Sequence, residues 1–371
     1  MGLITFSSSS PYTLGVEIEF QLLEAQSLDL APCAGSVMAA VPERFRNRLV
    51  EEFLQSILEI RTGICASVDE VAMDLQSTIE IVDTIAQAQG LRLYAASLHP
   101  FADPGRQVLS HGERYQRIMK ELQYVGRQFI CQGLHVHVGL DDRDTAIRVC
   151  DGIQVYLPLL LALSGSSPYF RGEDTGFASY RTKLFEVLPL AGLTSFHGTW
   201  KNLETEVAML VDFDLIKEFR DLWWDVRPSP AFGTVEIRIC DLPSRFQHIL
   251  VLTTLVQALV AALAEEIIDV KQVSLQVLDC NKWQAARHGL EGRFTDPLAL
   301  LETGTLPMRR AVALLVDRLA PWIERFGSAS YLGQMDSLLD GGTSAEVQRR
   351  YVRDAGGFTG MIDRLGREFW V

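Results

Sequence analysis

Near its start the chain runs Gly15-Val16-Glu17-Ile18-Glu19-Phe20, apolar residues alternating strictly with two carboxylates. Alternation with period two marks a strand with one face buried, because successive side chains leave a strand on opposite sides. It also fixes where Glu17 and Glu19 point: side by side, away from the core. Two like charges held that close repel each other. A chain keeps such a pair either on a solvated sheet face or around a cation, and hard divalent cations favour oxygen ligands.

Three more stretches carry the same device. Phe53 to Thr62 reads as a strand ended by Gly63, with Glu59 and Arg61 on one face and Leu58 and Ile60 on the other. Gly133-Leu-His-Val-His-Val-Gly139 pairs His135 with His137, and Gly233 to Asp241 pairs Glu236 with Arg238. Any single pair also fits a solvated strand face. Four pairs with one chemical theme fit a single polar surface if the strands are neighbours in one sheet. Carboxylates with an imidazole suit Mg²⁺ or Mn²⁺. Guanidinium groups beside them suit an anionic substrate, whose phosphate or carboxylate they grip at two points.

Leu91 to Leu98 and Leu222 to Val226 bring the total to about six strands, Leu222 to Val226 being joined to Gly233 to Asp241 through Arg227-Pro-Ser-Pro230. Ser67 and Glu70 form a capping-box pattern before Val71, Leu75, Ile79, Val82 and Ile85, which keep helical spacing up to Gly90. Further helices are expected from Glu113 to Gly126 and from Asp141 to Gly165, the latter largely apolar. Ser164 to Gly176 is a polar, glycine-rich stretch suited to a mobile or substrate-facing loop. After Ser244 nearly everything is helical, with breaks near Asn281, Pro297, Pro307 and Gly341-Gly342. No low-complexity linker or internal repeat divides the chain. The expectation is one domain over 1–371, with sheet and active site in 1–245 and a helical remainder in 246–371. Its fold class is α+β: a mostly antiparallel sheet with a polar concave face and helices on the other.

Bulk properties narrow the function. The chain is 48% hydrophobic over 371 residues, ample for a sizeable core. A net charge of -13 offers no footprint for nucleic acid and is repelled by anionic membranes. The six cysteines are scattered without a C-x-x-C pair, and Met1 to Ser10 lacks the basic start and apolar run of a signal peptide. Both features point to reduced thiols in a cytoplasm. The longest apolar run, Ile249 to Ala264, falls short of the roughly 18 to 20 residues of a membrane span, so a buried helix is expected. The apolar helices after Ser244 would serve equally as core or as the surface of a homodimer. No G-x-x-x-x-G-K-[ST], strand-following G-x-G-x-x-G, H-E-x-x-H or G-x-S-x-G occurs. A nucleotide would therefore be held by metals and arginines.

Five motifs then stand in order: G-V-E-I-E-F (15–20), I-L-E-I-R-T-G (57–63), G-L-H-V-H-V-G (133–139), S-Y-R-T-K-L-F-E-V-L-P (179–189) and V-R-P-S-P-A-F-G-T-V-E-I-R-I-C-D (226–241). Together they resemble the type 2 glutamate–cysteine ligase family of ATP-dependent carboxylate–amine ligases. The resemblance implies a sheet fold shared with glutamate–cysteine ligase and, more distantly, glutamine synthetase. It implies ATP as co-substrate with Mg²⁺, and glutamate and an amine, cysteine or another, as the groups joined. By the family pattern Glu17, Glu19, Glu59 and Glu236 are metal ligands, joined by His135 or His137. Arg238 reaches the γ-phosphate of ATP and, with Glu59, belongs to the catalytic machinery. Arg181, Arg227 and Ser179 contact substrate carboxylate or phosphate. The implied chemistry is attack of the glutamate γ-carboxylate on ATP, then displacement of phosphate from the acyl phosphate by the amine. Two rivals use the same face: a metal-dependent hydrolase that activates water, and a nucleotide- or amino-acid-binding protein without turnover.

Overall fold

The computed structural model describes residues 4–266, 268–270, 272–354 and 356–371, so Met1 to Leu3, read above for a leader, lie outside it. Seven strands form the central sheet: β1 (Leu14–Glu24), β2 (Leu49–Glu51), β3 (Ile57–Arg61), β4 (Leu91–Tyr94), β5 (Leu134–Gly139), β6 (Val226–Ser229) and β7 (Thr234–Ile237). Their order is β6-β7-β5-β1-β3-β2, with β4 also paired to β1, and every pairing is antiparallel.

The pleat sorts the two faces as the alternation predicts. Leu14, Val16, Ile18, Phe20 and Leu22 of β1 are buried together with Leu58 and Ile60, with Leu134, Val136 and Val138, and with Val235 and Ile237. Three helical units pack on this side: α1 (Val68–Ala88), the pair α2 (Arg143–Ile153) and α3 (Leu157–Ser164), and α4 (Phe246–Glu265). Ser67 caps α1 by accepting from the Glu70 N–H, while the Glu70 carboxylate accepts from the Ala66 N–H, one residue before the cap, in place of the Ser67 N–H of a strict capping box. Helix α4 is long and apolar enough to cross a membrane, yet 94% of its apolar window is buried inside the protein. It is a core helix.

Several expectations are corrected. The strand expected from Phe53 begins at Ile57, and the charged segment before it holds the additional strand β2. The strand expected from Leu91 to Leu98 stops at Tyr94. Asp141 to Gly165 is two helices bent by 64°, because Pro158 clashes with helix continuation and instead occupies the first turn of α3, where no N–H is needed. The segment Arg227-Pro-Ser, expected as a connection, is itself strand β6; Pro228 is tolerated because β6 is the sheet edge. Trp223–Trp224 pairs separately, in parallel, with Ala191–Gly192. Ser164 to Ser167 is not a mobile or substrate-facing loop. It is buried, with Asp241 accepting from the Ser166 N–H (2.8 Å) and the Ser167 hydroxyl (2.7 Å). No helix break occurs at Asn281, which lies inside the helix Leu275–His288, and a hairpin of Arg293–Asp296 with Gly304–Pro307 interrupts the helical remainder.

An N-terminal arm crosses the end of the sheet. The Ser7 N–H donates to Pro230 O and the Ser9 N–H to Leu140 O. Gly233, at φ +62°, turns β6 into β7 directly beneath it, and any Cβ there would collide with the Ser7 carbonyl. The arm thereby delivers Ile4 and Thr5 to the rim of a cavity on the polar face.

Candidate active site

Antiparallel register, not proximity in sequence, assembles the site. Glu17 lies opposite His135 on one side and Arg61 on the other; Glu19 lies opposite Glu59; Glu236 lies between His137 and Arg227. These residues face a cavity of about 700 Å³ whose wall also includes Glu52, Arg114, Tyr115, Arg181 and Arg238. Within it, His135 Nδ1 stands 3.2 Å from Glu17 Oε2 and His137 Nε2 3.5 Å from Glu17 Oε1. His137 Nδ1 sits 2.9 Å from the Thr234 hydroxyl, which fixes the ring. Arg227 donates through Nε to Glu236 Oε2 at 2.8 Å, and Arg238 donates to the other oxygen of Glu236. The Gly133 N–H donates to Glu19 Oε2 at 2.7 Å.

Charge divides this surface into two halves. Burial raises Glu17, but the imidazoles of His135 and His137 beside it outweigh that and hold the carboxyl well below its ordinary range. Burial also opposes ionisation of Glu236, and the charges of Arg227 and Arg238 overcome it, again well below the ordinary value. His135 is pushed down to about 4 by burial and then by Arg238, whereas His137 ends raised because Glu17 and Glu236 outweigh burial. On the other half the charges of Arg181 and Arg238 and the Gly133 N–H pull Glu19 down without overcoming burial. Burial and then the charge of Glu52 push Glu19 up to about 8. Burial raises Glu52, and burial with the charges of Glu17, Glu52 and Glu19 takes Glu59 well above its usual value.

Among the described residues, three ligand sets have donor atoms within 4.8 Å of one another: Glu17, Glu59 and His135; Glu17, His137 and Glu236; Glu19, Glu52 and Glu59. The residues fit a divalent cation on two counts. Two buried carboxylates, Glu19 and Glu59, crowd against half-buried Glu52 without an ion pair among the described residues, and His137 Nε2 is buried without a hydrogen-bond partner. Hard oxygen donors with one or two imidazoles match Mg²⁺ or Mn²⁺ better than a thiolate metal.

Of the residues singled out by sequence, Glu17, Glu19, Glu59, His135, His137, Arg181, Arg227, Glu236 and Arg238 all line the cavity. Ser179 does not. Its hydroxyl is fully buried, donating to Asp241 Oδ1 at 2.8 Å, so it holds the scaffold and has no surface left for a ligand. Arg181 reaches the cavity while its guanidinium is engaged on the Arg238 and Ile239 carbonyls. Sequence reasoning missed Glu52, Arg114 and Tyr115. Glu52 follows a three-residue strand too short to show a period, and the other two open the helix Glu113–Leu122. The one available signal was the acidic run Glu51-Glu52 so close to Glu59.

Comparison with known proteins bears on this geometry. The sequence model of glutamate-cysteine ligase family 2 matches residues 13–365. A provisionally named glutamate–cysteine ligase 2 of Gloeobacter violaceus is 36% identical over 94% of each chain. Another, of Thermobifida fusca, is 36% identical over 99% of this chain and 93% of its own. Among solved structures, a glutamate–cysteine ligase of Francisella tularensis in complex with AMP aligns with TM-score 0.72 at 14% identity, covering 98% of this chain and 90% of its own. A bifunctional glutathione synthetase of Pasteurella multocida aligns with TM-score 0.73 at 16% identity, over 96% of this chain and 52% of its own. At those identities the two structures speak to the fold.

Proposed function

Given that the chain belongs to the glutamate-cysteine ligase family 2, we propose that it is an ATP-dependent ligase joining the γ-carboxylate of glutamate to an amine through an acyl phosphate. The observation that carries this is the register that sets Glu17, Glu19, Glu59, His135, His137 and Glu236 on one cavity wall beside Arg227 and Arg238. With divalent cations held on its carboxylates, a surface of this kind would neutralise a polyphosphate and a carboxylate at once.

Glu17, Glu19, Glu59 and Glu236, with His135, His137 and Glu52, are the residues that would hold Mg²⁺ or Mn²⁺. Bound there, the ions supply charge neutralisation on the phosphate oxygens. Glu236 accepts from both Arg227 and Arg238; Arg227 is further held on the Arg220 and Leu222 carbonyls, whereas Arg238 keeps further N–H groups for phosphate. Arg238 is thus poised to stabilise the transferring γ-phosphoryl. Glutamate γ-carboxylate attacks in line, ADP leaves, and the amine nitrogen then displaces phosphate from the acyl carbon to form the amide. No protein nucleophile is needed: Cys131, which lines the cavity, is buried and pushed far above its usual range by burial. Six unpaired cysteines suit a reducing cytoplasm.

The test is ADP release from Mg²⁺-ATP and glutamate across a panel of amines. Stimulation by one amine, with formation of its γ-glutamyl amide, is the expected result. If no amine stimulates turnover while metal alone supports hydrolysis of an amide, the wall serves a hydrolase.

A further inference from the structure

Strand β7 ends at Ile237, yet Arg238, the next residue, carries the most exacting role on the cavity wall. Its backbone has left the sheet ladder, so something else must fix it. Every polar backbone group of Arg238 and Ile239 is gripped from outside the ladder. The Asp225 carbonyl accepts from both N–H groups, at 2.8 and 3.1 Å. Arg181 donates to both carbonyls, from Nη2 to Arg238 O at 3.1 Å and from Nη1 to Ile239 O at 3.2 Å.

Arg181 is itself over-determined. Its guanidinium carbon lies 4.7 Å from the centre of the Phe185 ring. On the other side it presses on Gly133, where a Cβ would stand 2.5 Å from Nη2, so the absence of a side chain there is what admits the guanidinium. Asp241, fully buried, stands 3.9 Å from Nη1 and ties down the Ser166 amide and the Ser167 and Ser179 hydroxyls around it. The Arg181 N–H donates to that same Ser167 hydroxyl. Both of its terminal nitrogens are thus committed to the backbone of Arg238 and Ile239, and its Nε is buried without a partner.

We infer that Arg181 is a positioning residue: with Asp241 behind it and Gly133 beneath it, it fixes the backbone of Arg238 and so aims the Arg238 guanidinium. This rests on the ligase reading of Arg238 given above. Small displacements of a catalytic group cost rate steeply, about 100-fold for 1 Å.

The experiment is a double-mutant cycle of Arg181→Gln and Arg238→Gln in the full chain, reading kcat and the KM values for Mg²⁺-ATP and glutamate. Arg181→Gln is expected to lower kcat about 10- to 100-fold, leaving KM for glutamate within about twofold. The double variant should be no worse than Arg238→Gln alone, because coupled residues are non-additive. Gly133→Ala, which displaces the guanidinium without removing it, should lower kcat in the same way and add nothing in the Arg181→Gln background. It keeps the inference testable should Arg181→Gln fold poorly. Multiplicative losses in the double variant, or a raised KM for glutamate with kcat intact, overturn the inference and make Arg181 a substrate contact. If Arg238→Gln leaves turnover unchanged, the assignment of Arg238 itself falls, and this inference with it.

Discussion

Glu19 sits on the acidic half of the cavity wall, buried beside Glu52 and Glu59, and its carboxyl is pushed up to about 8 by burial and the Glu52 charge. Between the ordinary value of 4.5 and about 8 the metal-free folded state holds a proton that the unfolded chain has released. Its contribution to stability is therefore fully present at low pH and lost as pH rises toward 8. The thermal midpoint of metal-free protein should fall over that window, and added Mg²⁺ should raise it more at pH 8 than at about pH 5. Equal shifts at both pH values would exclude a cation at this trio. Glu19→Gln should flatten the slope and cut Mg²⁺-dependent turnover about 100-fold or more. Arg238→Lys makes a different kind of change, a point charge in place of a fork. Its kcat should drop by roughly 10²–10³ while the Mg²⁺ concentration giving half-maximal rate stays put; a shift in that concentration instead would make Arg238 part of the metal site.

Elements carried the face-sorting into the sequence and hid the rest. In β1, β3, β5 and β7 a period of two survives for four residues or more, so Glu17, Glu59, His135 and Glu236 could be assigned to one face from the string of letters alone. Glu52 could not, because it follows a strand of three residues. Nor could β6, where Pro228 argued against a strand and only the position at the sheet edge permits it. Pro158 looks the same inside a helix as in the first turn of a new one, which is why α2 and α3 read as a single span. Ser179 carried the family motif but not its expected place, since the burying partner Asp241 is 62 residues away in sequence. The turn between β6 and β7 yields a prediction of its own. Gly233→Ala meets both a positive φ and the Ser7 carbonyl, so it should cost about 1–3 kcal/mol and release the arm bearing Ile4 and Thr5. Limited proteolysis before Ser10 would report that release; an unchanged cleavage pattern and midpoint would mean that the arm is not held there.

Across the whole molecule, one apolar core runs from the sheet through α1 and α4 to the helix Met308–Arg325. Leu255 lies in the middle of α4 and is wholly buried, so Leu255→Ala should lower unfolding free energy by about 2–5 kcal/mol in denaturant titration. At low temperature its KM values should match those of the parent, because α4 packs on the apolar face and contributes nothing to the cavity wall. The pleat makes that independence general. Neighbouring positions along β1 answer to separate demands, Val16 and Ile18 to packing, Glu17 and Glu19 to chemistry. A lineage could therefore exchange cavity-facing residues one at a time, changing what the cavity accepts, while the neighbouring letters keep the protein folded. The same arrangement makes insertion hazardous: one extra residue within β1 would turn the carboxylates into the core and the isoleucine toward the substrate. The strand tolerates spelling changes and forbids a change of frame.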